Sequence, residues 1–191
     1  LLHQSVSHMT GNASLIALSL ADQDYSSVIF LVLVVISYVL GSSYSGFILG
    51  NSHFQLARRY GLPLTLVTIF ILLCWLFISE YPRYALLWAC ASMGIQNAMV
   101  SHYQGAIIRT THLSGVLTDL GLALGYFFRG LKNDPKKIIL HLLILIGFIT
   151  GSIVAAISYP YLQLNAFLIP AGLSFLLSLI YWILYLRHSR I

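Results

Sequence analysis

The sequence predicts an all-α, polytopic membrane protein, a transmembrane helical bundle of two inverted repeats of about three spans each, with discontinuous or re-entrant helices at a repeated motif. Three observations predict it. Apolar residues make up 59% of the 191 and charged residues only 8%, with a mean hydropathy of +0.87, too few ionic groups to coat a soluble globule of this size. The segment Ser7-His8-Met9-Thr10-Gly11-Asn12 returns as Thr111-His112-Leu113-Ser114-Gly115-Val116, both copies inside apolar sequence. Basic residues gather in some connections and acids in others, which gives matching spans of the two halves opposite polarity.

Taken in order, only seven residues precede His8, whereas the second motif follows a full apolar segment. The repeat therefore predicts a further helix ahead of this chain, which starts with Leu1. After the first motif a short apolar run ends at Asp22 and Asp24, which have no basic neighbour and so face outward. Val28–Leu49 crosses from there to Arg58 and Arg59 inside, and Leu62–Ile78 returns to the outside near Glu80. Tyr84–Val100 and Leu113–Phe128 then lead to the most basic connection, Arg129 to Lys137. Two full crossings would end on the outside, so either one of the pair is half-length or re-entrant, with the break at the second motif, or the side assigned from the positive charges is wrong. Ile138–Ile157 starts from Lys136 and Lys137 inside, and Leu162–Leu186 ends at Arg187 and Arg190, which places the C-terminus in the cytoplasm. The long segments each approach the ~20 residues that a bilayer demands, and several of them rule out a cleaved secretory signal as the explanation.

The halves are residues 1–79 and 80–191 of a single membrane domain. Placing His8 on His112 (offset 104) also aligns Leu18 with Leu122 and Leu20 with Leu124; further on, Ser37 to Ser42 matches Gly147 to Ser152 at offset 110. The six-residue difference is assigned to the longer basic connection of the second half.

Nine residues are candidates for binding a solute or ion: Thr10, Asn12, Gln96, Asn97, Arg109, His112, Ser114, Thr118 and Asp119. Asp119 is an acid within an apolar segment, which costs at least ~2.5 kcal/mol on insertion scales, so it should face the protein interior or a cavity unless it is a structural partner for Arg109. Its first-half counterpart is Leu15. Thr10, Asn12, Ser114 and Thr118 supply oxygens at helix starts, where unpaired N–H groups suit an anion or carboxylate, and Thr10 and Ser114 are also the expected N-caps. His8 and His112 are either pseudo-symmetric partners at the midplane or satisfied structural histidines. Gln96 and Asn97 are adjacent amides at membrane depth, serving a substrate path or helix packing. Gly41 and Gly46, like Gly147 and Gly151, are expected to let backbones approach. Cys74 and Cys90 read as small apolar residues.

No hydrolase elbow, zinc-protease helix or phosphate loop occurs, so no catalytic residue, metal site or cofactor is assigned and the chain is read as a non-enzyme. The formal charge of +5 belongs to topology rather than to nucleic acid. The partners implied are the lipid bilayer, a small solute or ion, and, as an open alternative, further copies of the chain.

The strings Met93-Gly94-Ile95-Gln96-Asn97-Ala98 and Arg109 through Gly121, with Met9-Thr10-Gly11-Asn12, resemble the YoaK-type bacterial membrane family, long catalogued as a domain of unknown function. The resemblance covers essentially the whole chain. Two departures stand out: Ser114 replaces the usual second-copy Thr, and Val116 the Thr after the second Gly. The resemblance implies a multi-pass protein of the bacterial inner membrane and no particular substrate. Together these readings predict a small-solute transporter or permease with its site between the two motifs. A non-transporting scaffold or partner subunit, or a channel-like pore, is the alternative.

Overall fold

A computed structural model describes residues 5–50, 58–101 and 111–188. They are almost wholly helical, with no strand among the described residues: α1 Met9–Ala21, α2 Tyr25–Leu49, α3 Arg58–Phe77, α4 Pro82–Ser101, α5 Leu113–Phe128, α6 Pro135–Leu162, a 3₁₀ turn Gln163–Phe167, and α7 Leu168–His188. Three helical stretches have the length and apolar composition to cross a membrane: Tyr25–Leu49, Tyr60–Phe77 and Pro135–Arg187. The last runs for 53 residues, about 80 Å at ~1.5 Å per residue and more than twice the ~30 Å hydrocarbon core, a length sufficient for two crossings. The break between them is Gln163, whose φ of 48° no helix continues through.

Packing divides the chain into two compact units, residues 1–108 with 164–191 and residues 109–163, a grouping different from the sequence halves 1–79 and 80–191. In the larger unit α2, α3 and α4 form the centre. Arg83 at the start of α4 donates to Ser26 Oγ (2.9 Å) and lies over the Phe30 ring at the start of α2, while Gly94 meets Tyr38 and Ser42 further along both helices. The two helices are therefore parallel. Their approach is set by glycine: a Cβ on Gly94 would stand 2.1 Å from the Tyr38 carbonyl oxygen, and one on Gly41 equally close to that of Ala91. Ser42 Oγ donates to the Gly94 carbonyl across this contact (3.1 Å).

Helix α3 runs the other way between α4 and α7. Phe70 meets Trp88 edge-on, and Cys74 and Ile78 form a buried cluster with Ala85 and Ala89. On its other side Val67 and Ile71 share a buried cluster with Ala171, and hydroxyls add a specific link: Thr68 Oγ1 pairs with Ser174 Oγ and Thr65 Oγ1 with Ser178 Oγ, both at 2.9 Å. Trp182 Nε1 donates to Thr65 Oγ1 (3.0 Å) while its ring covers Gly61. Such interhelical bonds suit lipid, where apolar side chains gain little by leaving hydrocarbon. Of the glycines expected at helix contacts, Gly41 is one, but a Cβ added at Gly46, Gly147 or Gly151 would meet nothing within 4 Å, and Gly94 takes the role instead. The signal in the sequence was residue size, which does not say which face meets a neighbour.

Helix α1 is 13 residues, about 20 Å, and its first residue Met9 packs with Phe30, Val34 and Cys90. It thus begins beside the body of α2, not at its end. The smaller unit is the hairpin of α5 and α6, in which α6 has no buried residue and α5 buries Val116.

Candidate functional site: a duplicated helix start and an acid–imidazole pair

The two copies of the motif fold alike at the level of backbone torsions. His8 precedes α1 with φ −92° and ψ 74°, and His112 precedes α5 with φ −94° and ψ 69°. Neither imidazole makes a capping hydrogen bond. This corrects the expectation that Thr10 and Ser114 cap: both lie inside the first turn, where their carbonyls accept from the hydroxyls one turn on, Ser14 to Thr10 (3.2 Å) and Thr118 to Ser114 (2.9 Å). Each short helix buries one residue, and at the same place in the motif, Asn12 in the first copy and Val116 in the second.

The correspondence continues past the helices. Both close in the same six-residue turn, with Gln23 N–H bonded to Leu20 O and Asp24 N–H to Ser19 O in the first, and Gly130 to Phe127 and Leu131 to Tyr126 in the second. This is the Schellman closure, with Gln23 (φ 57°) and Gly130 (φ 67°) at the left-handed position. An aspartate then caps each long helix, Asp24 accepting from Ser27 N–H and Asp134 from Lys136 N–H. The long helices exit at positive φ, at Gly50 and Gln163. The length difference between copies is not confined to the basic connection: α5 is 16 residues against 13 for α1, and α6 is 28 against 25 for α2.

The nine candidate residues divide between the units. In the larger, Thr10 is exposed and Gln96 half-buried, while Asn12 and Asn97 are buried at 1% and 4% exposure. Asn12 Nδ2 donates to the Ser5 carbonyl (2.8 Å), and its Oδ1 has no hydrogen-bond partner among the described residues. Asn97 Nδ2 donates to the Met93 carbonyl one turn back (3.0 Å). In the smaller unit His112 is half-buried, and Ser114 and Thr118 are exposed. Asp119 is also exposed, at 56% of its side chain, and lies 3.2 Å from His141 Nε2 on α6. Arg109, proposed as its partner, falls outside the described residues.

With this geometry the match to a family model over residues 1–180 decides the family. The chain belongs to the family described as Protein of unknown function (DUF1275). Neither a curated protein nor a solved structure matches it.

Two features of this DUF1275 chain are not among the residues its sequence singles out. His141 is one, although a histidine within Ile138–Ile157 is as much an ionisable group at membrane depth as the acid of α5. The other is a cavity of about 430 Å³ between α2, α3 and α4, lined by Ser37, Gly41, Tyr44, Phe70, Trp88 and Ala91 among others. Its wall is aromatic and almost wholly apolar, and none of the nine candidates lines it. Small residues on α2 and α4 leave the space and aromatic rings border it, a pattern that only the packing of three helices reveals.

Proposed function

We propose that this DUF1275 protein is a YoaK-type, multi-pass protein of the bacterial inner membrane that carries a small solute, built on two inverted copies of a broken-helix hairpin. The observation that carries the reading is the pair of helices that start at His8 and His112 with the same torsions, the same hydroxyl bond and the same exit turn. Repeated helix breaks in an apolar chain are the pattern by which secondary transporters present backbone N–H groups to a solute.

Topology supports it. Because α2, α4 and α7 are parallel and α3 opposes them, a cytoplasmic C-terminus puts Ser101 at the end of α4 inside. The connection from Arg129 to Lys137 is inside by its charge. Among the described residues α5 is the only helix between these two inside points, and its 16 residues span about 24 Å against the ~30 Å core. Helix α5 is therefore the re-entrant segment that parity demands, and α1, which begins beside α2 and ends at the acidic outer turn, is its inverted counterpart. Thr10, Asn12, Gln96, Asn97, Arg109, His112, Ser114, Thr118 and Asp119 remain the residues assigned to the site.

The test needs no known solute. Cys74 and Cys90 are buried, so a membrane-impermeant thiol reagent reads only introduced cysteines. Thr10→Cys and Ser114→Cys should react from both faces of oriented vesicles, at rates that differ between the faces. Protection of both positions from both faces would mark a packed scaffold and end the carrier reading.

A further inference from the structure

The pair Asp119–His141 has a proton count that its geometry fixes. His141 Nδ1 lies 2.8 Å from the Lys137 carbonyl oxygen, which can only accept, so Nδ1 carries a hydrogen. A neutral ring has one N–H, and that one is then committed to Lys137. Nε2 would present a lone pair to Asp119 Oδ2 at 3.2 Å, two acceptors face to face. The contact holds only with a second proton between them, on Nε2 as an imidazolium facing a carboxylate or on Oδ2 as a neutral acid donating to the ring. Both arrangements bind one proton more than a neutral histidine beside an ionised acid, and both are net neutral, which matters where lone charge is costly.

We infer that Asp119 and His141 form a proton-binding site joining α5 to α6, and that the ion exchanged with solute by the proposed carrier is H⁺. The coupling half of this rests on the carrier reading, whereas the proton site does not. Release of the proton breaks the Nε2–H or Oδ2–H bond, whose electron pair stays on that atom while water takes up H⁺; two acceptors are then opposed and the Asp119–His141 link opens. Asp119 sits nine residues before the end of α5 and His141 six after the start of α6, so the two place the link about 9–13 Å from the basic turn. The titratable and charged groups on the two helices that form this unit are Asp119 and Tyr126 on α5 and Lys136, Lys137, His141, Tyr159 and Tyr161 on α6, with Arg129, Lys132 and Asp134 in the turn. The ring is 13% exposed and the acid 56%, so the carboxyl is the less enclosed of the two.

The first copy shows what the second has gained. At the offsets that align the motifs and the long helices, Asp119 corresponds to Leu15 and His141 to Leu31, the latter 1% exposed. The same local fold thus carries packing in one copy and an acid–base pair in the other.

The experiment is magnetic resonance on the full chain in lipid nanodiscs near neutral pH, with ¹⁵N-histidine and ¹³C-aspartate labels, His141 assigned by its loss in His141→Gln. The expected result is a doubly protonated ring or a protonated Asp119 carboxyl; Asp119→Asn leaves a neutral, singly protonated ring, a loss of one bound proton per chain, and Asp119→Glu retains it. A neutral ring beside an ionised Asp119, or a doubly protonated ring that survives Asp119→Asn, overturns the proton site. If the proton site stands but Thr10→Cys and Ser114→Cys are protected from both faces, the carrier reading alone fails, and the coupling with it.

Discussion

Substituting Gly94 by alanine tests how closely α2 and α4 are held. The added Cβ would stand 2.1 Å from the Tyr38 carbonyl oxygen and 3.0 Å from its carbon, against the 3.4 Å at which ordinary contact begins. Because the obstruction is backbone, no rotamer relieves it, and the helices must part by about 1.3 Å, the shortfall between these distances. That separation also stretches the 3.1 Å bond from Ser42 Oγ to the Gly94 carbonyl beyond useful length. Overpacking costs about 1–3 kcal/mol and an interhelical hydrogen bond in lipid about 0.6, while alanine's better helix propensity offsets up to about 1. The expected loss is about 1–3 kcal/mol. Gly46 on α2 supplies the control, since nothing lies within 4 Å of its would-be Cβ and Gly46→Ala should be neutral or slightly stabilising. Reversible unfolding in mixed micelles with increasing SDS, followed by circular dichroism, measures both. Adding Gly41→Ala to Gly94→Ala should cost less than the sum of the two, because one separation relieves both clashes. Equal stability of Gly94→Ala and Gly46→Ala would refute the reasoning.

A double-mutant cycle on Thr68→Val and Ser174→Ala should return a coupling of about 0.6 kcal/mol and no more than about 1.7, measured in the same unfolding assay. Gln23→Gly should stabilise the protein by about 1 kcal/mol and Gly130→Gln destabilise it by a similar amount, since both positions hold a left-handed residue and only one copy has glycine there. Asp24 is held below the ordinary carboxylate value of 3.8 by hydrogen bonds from the Ser27 hydroxyl and N–H, so its cap stabilises α2 above that value and the contribution disappears as pH falls through the lowered one; Asp24→Asn should flatten this part of a stability–pH curve.

The sequence was most legible where hydropathy and charge act alone. Val28–Leu49, Leu62–Ile78 and Tyr84–Val100 each fall inside a helix or within a residue of its end, and Leu113–Phe128 coincides with α5. The last span was misplaced at its start, Leu162 against Leu168, because the apolar run continues through a 3₁₀ turn and hydropathy does not register a positive φ at Gln163. The motifs read as helix starts in the sequence and are helix starts in the fold, but side-chain preference points to Thr10 and Ser114 as caps while the backbone turns at histidine. Contacts were harder still. His141 and Asp119 meet across a hairpin, and Gly94 meets Tyr38 across two parallel helices separated by a third in sequence; no local pattern encodes either.

The hydroxyl ladder between α3 and α7 bears on how the chain is made. Thr65 and Ser178 stand 113 residues apart, and the whole of the smaller unit is synthesised between them. At ~5–20 residues per second the ribosome takes about 6–23 s to cover that distance. Throughout that interval the α7 partners of Thr65 and Thr68 have not yet emerged, although α4 has, and the Gly61 face awaits the Trp182 ring. The larger unit is thus begun first and finished last, and its closing step is the docking of the final helix into a slot that lipid or an insertion chaperone must keep open. Arrest of translation before α7 should therefore yield a membrane-inserted chain that remains a substrate for quality-control proteases, with α3 as the exposed element they find.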